Sequence, residues 1–458
     1  MEETLPKVTN VHLVGIGGIG MSALAFLLRE KGIGVSGSDL RDNPTVNELR
    51  KSGIKVYIGH RPEHITHADL VCISSAVGVS NPEVRAARSR GVPVWPRARM
   101  LAALAAGCKS ICVSGAHGKT TTTSLLGFVL SQLGFAPTVC IGGVPLNFSR
   151  HAWWGKDYFV IEADESDGSF LYYTPEFSVL TNIDTEHLEY YGTPARLREA
   201  FKKFAANTKH TVVACAEDPQ VRAVTESVTH CWYGFDSSLP VHARDVRCEE
   251  RGMRFTASVH SQEFDVFLPL VGAHNVLNAL AVFSVCSLLC AAPRKVTHAV
   301  REFKGTHRRF QFKAQVGGVT FIDDYAHHPT EIRAVLQALK YLPAKRRWVI
   351  FEPHRFTRVK RLADEFAECF AGADTLILTD IYSAAEAPLP GATVEDLFRR
   401  IRRGYDGQLY YVPKHELAGM LGGRVRSGDV ILGLGAGEIS ELMEKIIDEF
   451  RLRHDTAG

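Results

Sequence analysis

Short apolar runs alternate with polar turns along most of the chain, and many of the runs end at a glycine or an acid. Residues 11–14, Val-His-Leu-Val, form the first run, and Gly15, Gly17, Gly18 and Gly20 follow directly. A helical pattern covers residues 23–30, and a second run at 33–36 leads to Asp39. Further strand-like runs stand at 56–58, 70–74 and 92–95, with helical segments at 47–52 and 81–89 between them. Strands alternating with helices in this way predict a parallel sheet covered on both faces. The rhythm pauses near Gly107. It restarts with a strand at 111–113, the turn glycines Gly115 and Gly118, and a helix carrying Leu125, Leu126, Phe128, Val129 and Leu130. Strands at 157–162 and 177–182 each run into a polar cluster, and a long apolar helix ends near residue 289. After a basic bridge at 306–310 the pattern begins a third time, with strands at 319–322, 348–351, 375–379 and 430–433 before a closing helix.

At 458 residues the chain exceeds what one hydrophobic core usually serves, so three α/β domains are expected, at 1–108, 109–305 and 306–458. The first and third read as Rossmann-like and the central one as a P-loop-type unit with a mostly parallel sheet. A net charge of +3 is too small to argue for a nucleic-acid or membrane partner. The ten cysteines form no Cys-x-x-Cys pair and mostly sit in apolar runs, as small buried hydrophobes of a reducing compartment do. No basic-then-apolar leader opens the sequence, and no apolar run approaches the ~18 residues that span a bilayer. A cytoplasmic location is expected.

Candidate chemistry follows the strand ends. Gly15, Gly17 and Gly20 satisfy Gly-x-Gly-x-x-Gly, and Asp39 stands where an acid would meet a ribose. That turn serves a nicotinamide dinucleotide and a UDP-sugar equally well. Ser75 follows another strand end, where open α/β sheets bind ligands. The stretch Gly115-Ala116-His117-Gly118-Lys119-Thr120-Thr121 reads as a phosphate cradle, with Lys119 for the terminal phosphates and the Thr120 hydroxyl for Mg2+. It departs from the standard P-loop, which has a glycine where this chain has Val113. Glu165 and His187 lie just past two strands beside that loop, where a metal ligand is needed or where a solvated polar turn would do. His274, Asn275 and Asn278 open a helix, either as caps or as contacts to a base. Arg355 and Arg358 present paired guanidinium forks suited to a carboxylate or phosphate.

The ordered set of motifs resembles the Mur ligases over about the whole chain. It comprises Gly-Ile-Gly-Gly-Ile-Gly-Met-Ser, Ser-Gly-Ala-His-Gly-Lys-Thr-Thr-Thr, Glu-Ala-Asp-Glu-Ser-Asp, Thr-Asn-Ile-Asp-x-x-His, His-Asn-x-x-Asn-Ala, Arg-Arg-Phe, Asp-Asp-Tyr-Ala-His-His-Pro-Thr-Glu, Pro-His-Arg-Phe-Thr-Arg and Gly-Ala-Gly-Glu. The resemblance implies three small-molecule substrates, ATP, UDP-N-acetylmuramate and L-alanine, joined through an acyl phosphate in peptidoglycan synthesis. It implies Mg2+, as two ions, with Mn2+ as an alternative. Gly115, Ala116, His117, Gly118, Lys119, Thr120 and Thr121 would hold ATP phosphates, His274, Asn275 and Asn278 the adenine, Arg309 the γ-phosphate and Asp324 the ribose. Thr120, Glu165 and His187 would serve metal. Gly15, Gly17, Gly18, Gly20, Asp39, Ser75 and Ser166 would hold the UDP-sugar, and Tyr325, His327, Arg355 and Arg358 the amino acid. Lys119, Arg309 and His327 would be catalytic. A monomer or weak homodimer is expected. An NAD-dependent oxidoreductase would leave Gly-Lys-Thr unused, and a nucleotide sensor would bind ATP without amino-acid-dependent turnover.

Overall fold

The computed structural model describes residues 4–384 and 386–455. It holds three sheets. The first contains β1 (Asn10–Val14), β2 (Gly34–Asp39), β3 (Lys55–Ile58), β4 (Leu70–Ile73) and β5 (Val94–Pro96), in the order β3-β2-β1-β4-β5 with every pairing parallel. The chain leaves β1 toward β2 on one side and reaches β4 on the other. The carboxyl ends of β1 and β4 therefore flank a topological switch point, where open sheets form a ligand crevice.

The second sheet contains β6 (Lys109–Ser114), β7 (Thr138–Cys140), β8 (Ala152–Trp153), β9 (Tyr158–Glu162), β10 (Phe177–Leu180), β11 (Thr211–Cys215), β12 (His230–Gly234), β13 (Val241–Glu249), β14 (Gly252–Val259) and β15 (Gln262–Leu268). Their order is β15-β14-β13-β12-β11-β10-β6-β9-β7-β8. β6 pairs in parallel with both β9 and β10, which puts Ser114, Glu162 and Leu180 at one edge. The hydrophobic pattern does not mark β13 to β15: β13 and β15 mix buried and exposed positions and carry several charges, while β14 is mostly buried.

The third sheet contains β16 (Gln311–Val316), β17 (Val319–Asp324), β18 (Arg347–Phe351), β19 (Thr375–Leu378), β20 (Gln408–Tyr411) and β21 (Val430–Leu434). Its order is β16-β17-β21-β18-β19-β20, and only β16 runs antiparallel. Two cores line its faces: one is built on Ile322, Val349, Phe351 and Leu336, the other on Phe321, Trp348, Ile431 and Ile446.

These three mostly parallel sheets are the α/β layout that the strand–helix alternation predicts. The chain gathers into two compact units. One comprises Met1–Asp245, Phe255–Phe267 and Leu277–Lys304, and the other Val246–Arg254, Leu268–Val276 and Gly305–Gly458. The first two sheets thus belong largely to one unit. Helix starts are where the pattern fell short. The helix Lys119–Gln132 begins six residues before Leu125, because its first turns are threonines and a serine that are nonetheless buried.

Candidate active site

The Gly115–Thr121 loop is shaped by two glycines. Gly115 has φ +137°, and a Cβ placed there would lie 2.8 Å from the Asn182 carbonyl oxygen and against the Thr181 hydroxyl. Gly118 has φ +82° and caps the helix Lys119–Gln132 in the left-handed region. Val113 lies fully buried inside β6. The strand simply continues through the position where a standard P-loop would already be turning. The loop is then tied to the end of β10. Asn182 Oδ1 accepts from the His117 N–H at 2.8 Å, Asn182 Nδ2 donates to the His117 carbonyl at 3.0 Å, and the Thr181 hydroxyl donates to the same carbonyl at 2.6 Å. The motif Thr-Asn-Ile-Asp contains both residues, but their work as loop anchors was not legible in it.

Lys119 sits at the helix start with its Nζ donating to the carbonyls of Gly115 (2.6 Å) and Ala116 (3.1 Å) and to Glu165 (2.9 Å to Oε1). Burial alone would lower its pKa. The carboxylates of Glu165, Asp164 and Glu162 outweigh burial and hold the ammonium charged. Glu165 is buried at the end of the acidic turn after β9, and burial, against the opposing pull of Lys119, pushes its carboxyl up to about 7. Thr120 donates to Glu162 Oε1 at 2.8 Å, a carboxylate that sequence reasoning passed over because it lies within the strand pattern. His187 adopts φ +58°, and its Nε2 stands 3.7 Å from Glu165 Oε1. His117 Nε2 lies 3.1 Å from Asp184 and 3.3 Å from Glu186. Carboxylates, a hydroxyl and an imidazole at one sheet edge suit a hard divalent cation. Asn278 lines the same loop, with Oδ1 2.7 Å from where a Gly118 Cβ would stand. His274 and Asn275 share its helix, Ala273–Leu288, and Asn275 Nδ2 donates to the Val271 carbonyl at 2.9 Å, the reverse of the accepting role an N-cap plays.

In the second compact unit the expected residues converge at the ends of β17, β18 and β21. Asp324 is buried and receives the Phe310 N–H (2.6 Å) and the Ala326 N–H (2.7 Å). Burial outweighs Arg309 and those bonds, raising its carboxyl to about 7. Arg308 and Arg309 lie over the Tyr325 ring at 4.8 and 5.3 Å. His327 donates Nδ1–H to the Tyr325 carbonyl at 3.0 Å and packs 5.6 Å from the His354 ring. Burial first, then Arg358 and Arg309 against the pull of Glu331, lowers His327 to about 4. His354 stacks on Tyr382, an interplanar angle of 11°, and meets Arg358 Nη1 at 2.9 Å. Arg355 adopts φ +68° and donates its backbone N–H to the Tyr382 carbonyl at 2.8 Å. His354 belongs to the Pro-His-Arg-Phe-Thr-Arg motif without an assigned role, and Tyr382 was not singled out from the sequence, since nothing local marks it as part of a stacked set.

The crevice of the first sheet is a cavity of about 530 Å³ lined by Gly15, Gly17, Gly18, Asp39, Asn43, His60 and Ser74 among others. Asp39 Oδ2 accepts the Gly17 N–H at 2.9 Å, so the acid holds the glycine turn directly. Ser75 is exposed and outside the lining, which takes Ser74 and Ala76 instead. Ser166 also stands elsewhere, its N–H bound to Asp164 Oδ1 at 3.0 Å.

Behind this cavity lies a group that the sequence did not signal. Glu83 is fully buried and accepts from Ser38 (2.6 Å), His60 Nδ1 (3.0 Å) and His64 Nδ1 (2.6 Å), with His12 Nε2 at 3.6 Å. Burial by itself would raise its pKa, but these hydrogen bonds and the His12 charge outweigh it and bring the carboxyl down to about 2. A depressed carboxyl pKa gives stability that is complete above 4.5, the ordinary value, and lost as pH falls toward 2. The loss amounts to at most about 3 kcal/mol. Denaturant unfolding of wild type and Glu83→Gln is expected to converge between pH 4.5 and 2. A stability gap independent of pH would show that the cluster holds no such charge.

Three family profiles cover the chain: the catalytic domain of the Mur ligase family at residues 10–109, the Mur ligase middle domain at 113–286, and the Mur ligase glutamate ligase domain at 308–437. The chain is 42% identical to the UDP-N-acetylmuramate–L-alanine ligase of Anaeromyxobacter dehalogenans over 440 residues, 95% of this chain and 96% of that protein. Against the enzyme of the same name from Syntrophobacter fumaroxidans the identity is 42% over 461 residues, 99% of this chain and 98% of that protein. The structure of a UDP-N-acetylmuramate–alanine ligase from Thermotoga maritima matches with a TM-score of 0.84 at 30% identity, covering 97% of this chain and 99% of that one. A murein peptide ligase from Psychrobacter arcticus shares the fold, with a TM-score of 0.71 at 22% identity over 97% of this chain and 99% of that one.

Proposed function

We infer the reaction from one premise: this chain belongs to the Mur ligase family. It is an ATP-dependent ligase that adds L-alanine to UDP-N-acetylmuramate in peptidoglycan synthesis, as its near-full-length relatives at 42% identity do by name. The NAD-dependent reading of Gly15–Gly20 falls away.

Making an amide from a carboxylate requires an activated acyl group. ATP supplies it by phosphorylating the lactyl carboxylate, and the amine of alanine then displaces phosphate from the acyl phosphate. Two anions must approach in the first step, and Lys119 and Arg309 offset their repulsion and the developing charge. The Gly115–Thr121 backbone cradles the phosphates. Mg2+ is typical of the family, and Thr120, Glu165 and His187 are the residues that would hold it. Bound there, it would neutralise phosphate oxygens, with two ions and Mn2+ substitution as the working expectation.

His327 enters neutral. Its Nδ1–H is taken by the Tyr325 carbonyl, so Nε2 is the atom left to accept a hydrogen bond from the amine. A pKa near 4 makes it an orienting acceptor rather than a strong base. Tyr325, Arg355 and Arg358 complete the amino-acid site, Asp324 serves the ribose, and His274, Asn275 and Asn278 serve the adenine. The first domain, 1–108, takes the UDP-sugar, 109–305 takes ATP and 306–458 takes the amino acid. Among the described residues no helix is long and apolar enough to cross a membrane. A cytoplasmic monomer or weak homodimer acting on small molecules is the reading we adopt.

The observation that carries this function is full-length identity to enzymes of one name combined with a Lys119 loop facing a buried Glu165. Purified protein given ATP and Mg2+ is expected to release phosphate only when UDP-N-acetylmuramate and L-alanine are both present. Phosphate release indifferent to the amino acid would overturn the assignment, and parallel runs with glycine and serine would rank selectivity.

A further inference from the structure

The chain leaves β18 through a strained turn. Arg355 has φ +68° and ψ 132°, a combination that suits glycine and strains any residue with a side chain. The short helix Phe356–Arg361 starts directly after it and carries Arg358. A conformation of this kind persists only where its surroundings over-determine it. Here the restraint comes from a separate stretch of chain that follows β19.

Before the turn, Tyr382 and His354 form an isolated parallel bridge. Arg355 donates its N–H to the Tyr382 carbonyl, and Tyr382 donates its own N–H to the Pro353 carbonyl, each at 2.8 Å. The two rings stack with centroids 5.5 Å apart. After the turn, Glu386 takes both donors of Thr357: the N–H at 3.1 Å on Oε2 and the hydroxyl at 2.8 Å on Oε1. Arg355 is thus gripped from either side. Arg358 is held by the same set, with Nη1 donating to His354 Nδ1 at 2.9 Å. A guanidinium cannot accept, so that nitrogen is unprotonated. Burial first, then His327 and Arg358, lowers His354 to about 3, in keeping with a neutral ring. On charge alone, an acid in the same turn as two arginines opposes the binding of an anion. Whatever Glu386 adds to such a site is therefore added by geometry.

We propose that Glu386 is a positioning residue for the amino-acid substrate. Through Thr357 it locks the strained Arg355 turn, and so sets where the Arg355 and Arg358 guanidinium groups meet the substrate carboxylate. This rests on the reading of Arg355 and Arg358 as the amino-acid site and adds the residue that shapes it. Glu386 stands 29 positions beyond Thr357, and nothing in Pro-His-Arg-Phe-Thr-Arg signals that the motif depends on it. Two guanidinium forks bind a carboxylate tightly only in one mutual placement, and a shift of an ångström is enough to lose it.

Steady-state phosphate release by the full-length protein tests this, with L-alanine titrated at saturating ATP and UDP-N-acetylmuramate. Glu386→Ala is expected to raise KM for L-alanine about tenfold and to leave kcat within about threefold, because the arginines hold the carboxylate in ground and transition states alike. KM for ATP and for UDP-N-acetylmuramate should not move. Thr357→Val removes only the hydroxyl bond and should raise the alanine KM by a smaller factor. Added to Glu386→Ala it should do little more, since the bond it breaks is already gone. The valine variant also covers the case where Glu386→Ala folds poorly. An alanine KM unchanged in both variants would overturn the proposal, as would one lowered in Glu386→Ala, the result that lost negative charge alone predicts. A parallel rise in all three KM values would make Glu386 merely structural. Arg358→Met serves as the reference: an alanine KM unchanged there would bring down the amino-acid-site reading itself, and the proposal with it.

Discussion

Replacing Lys119 by methionine is expected to lower kcat by about 10³-fold or more, with little change in the affinity for UDP-N-acetylmuramate. The reason is geometric as well as electrostatic. Lys119 is the first residue of the helix Lys119–Gln132, and its ammonium is held within 2.9 Å of Glu165 and 3.1 Å of two loop carbonyls. It is thus oriented before any phosphate arrives, so little reorganisation remains for the reaction. Its removal also strands Glu165 without its ion-pair partner in a buried position, a situation that typically costs several kcal/mol. Part of that cost is relieved by protonation, since burial already raises Glu165 to about 7 with Lys119 present. A raised carboxyl pKa means that the folded state binds the extra proton. This group's contribution to stability therefore falls as pH rises from 4.5 through the folded value. The variant is accordingly expected to be more destabilised relative to wild type at pH 8.5 than at pH 6. Steady-state phosphate release and denaturant unfolding at the two pH values check both halves. Turnover within tenfold of wild type would remove Lys119 from the chemistry.

Gly115→Ala is the second large effect expected, and it acts through backbone shape. At φ +137° an L-residue is strained by about 1–3 kcal/mol before any contact is considered. The added methyl would also meet the Thr181 hydroxyl and the Asn182 backbone, the atoms that anchor the loop. Relief requires the loop to move off the end of β10, which breaks the Ala116 N–H bond to the Asn182 carbonyl and undoes the shape of the Gly115–Thr121 loop. ATP binding should be lost, and stability should drop by at least about 2 kcal/mol. Gly118→Ala should be milder, because the atom it meets is the end of the Asn278 side chain. Gly32→Ala is the control: φ is +86°, but nothing lies within 4 Å of the new methyl. Its loss should stay near 1–2 kcal/mol. Equal destabilisation at Gly115 and Gly32 would mean that φ alone matters and that the loop anchor does not.

Both predictions concern residues named by a local motif, and that is why they were legible. A strand, two glycines and Lys-Thr are contiguous, so chain connectivity guarantees that they share a site. The α/β layout was legible for a similar reason: apolar runs and helical periods are local signals, and parallel strands need helices between them. Even the Val113 departure had a local cause, a strand that continues one turn position further than in the standard loop. Where polarity and burial disagree, the local signal failed. Thr120 to Ser124 look solvated and are buried. The charged strands β13 and β15 look like loops and belong to a sheet.

The sequence by itself determined the α/β layout, the strand–glycine-turn–helix unit at Gly115–Thr121 and, through the ordered motifs, the family. Only the tertiary structure decided which distant side chains answer those motifs. Glu83 among three histidines, Thr181 and Asn182 beneath the Gly115–Thr121 loop, and His354 stacked on Tyr382 are each assembled from separate elements. Parallel strands deliver their carboxyl ends to one edge, so residues from several strand–helix units become neighbours. No spacing along the chain records which of them will meet, because strand order and not sequence distance sets who stands beside whom.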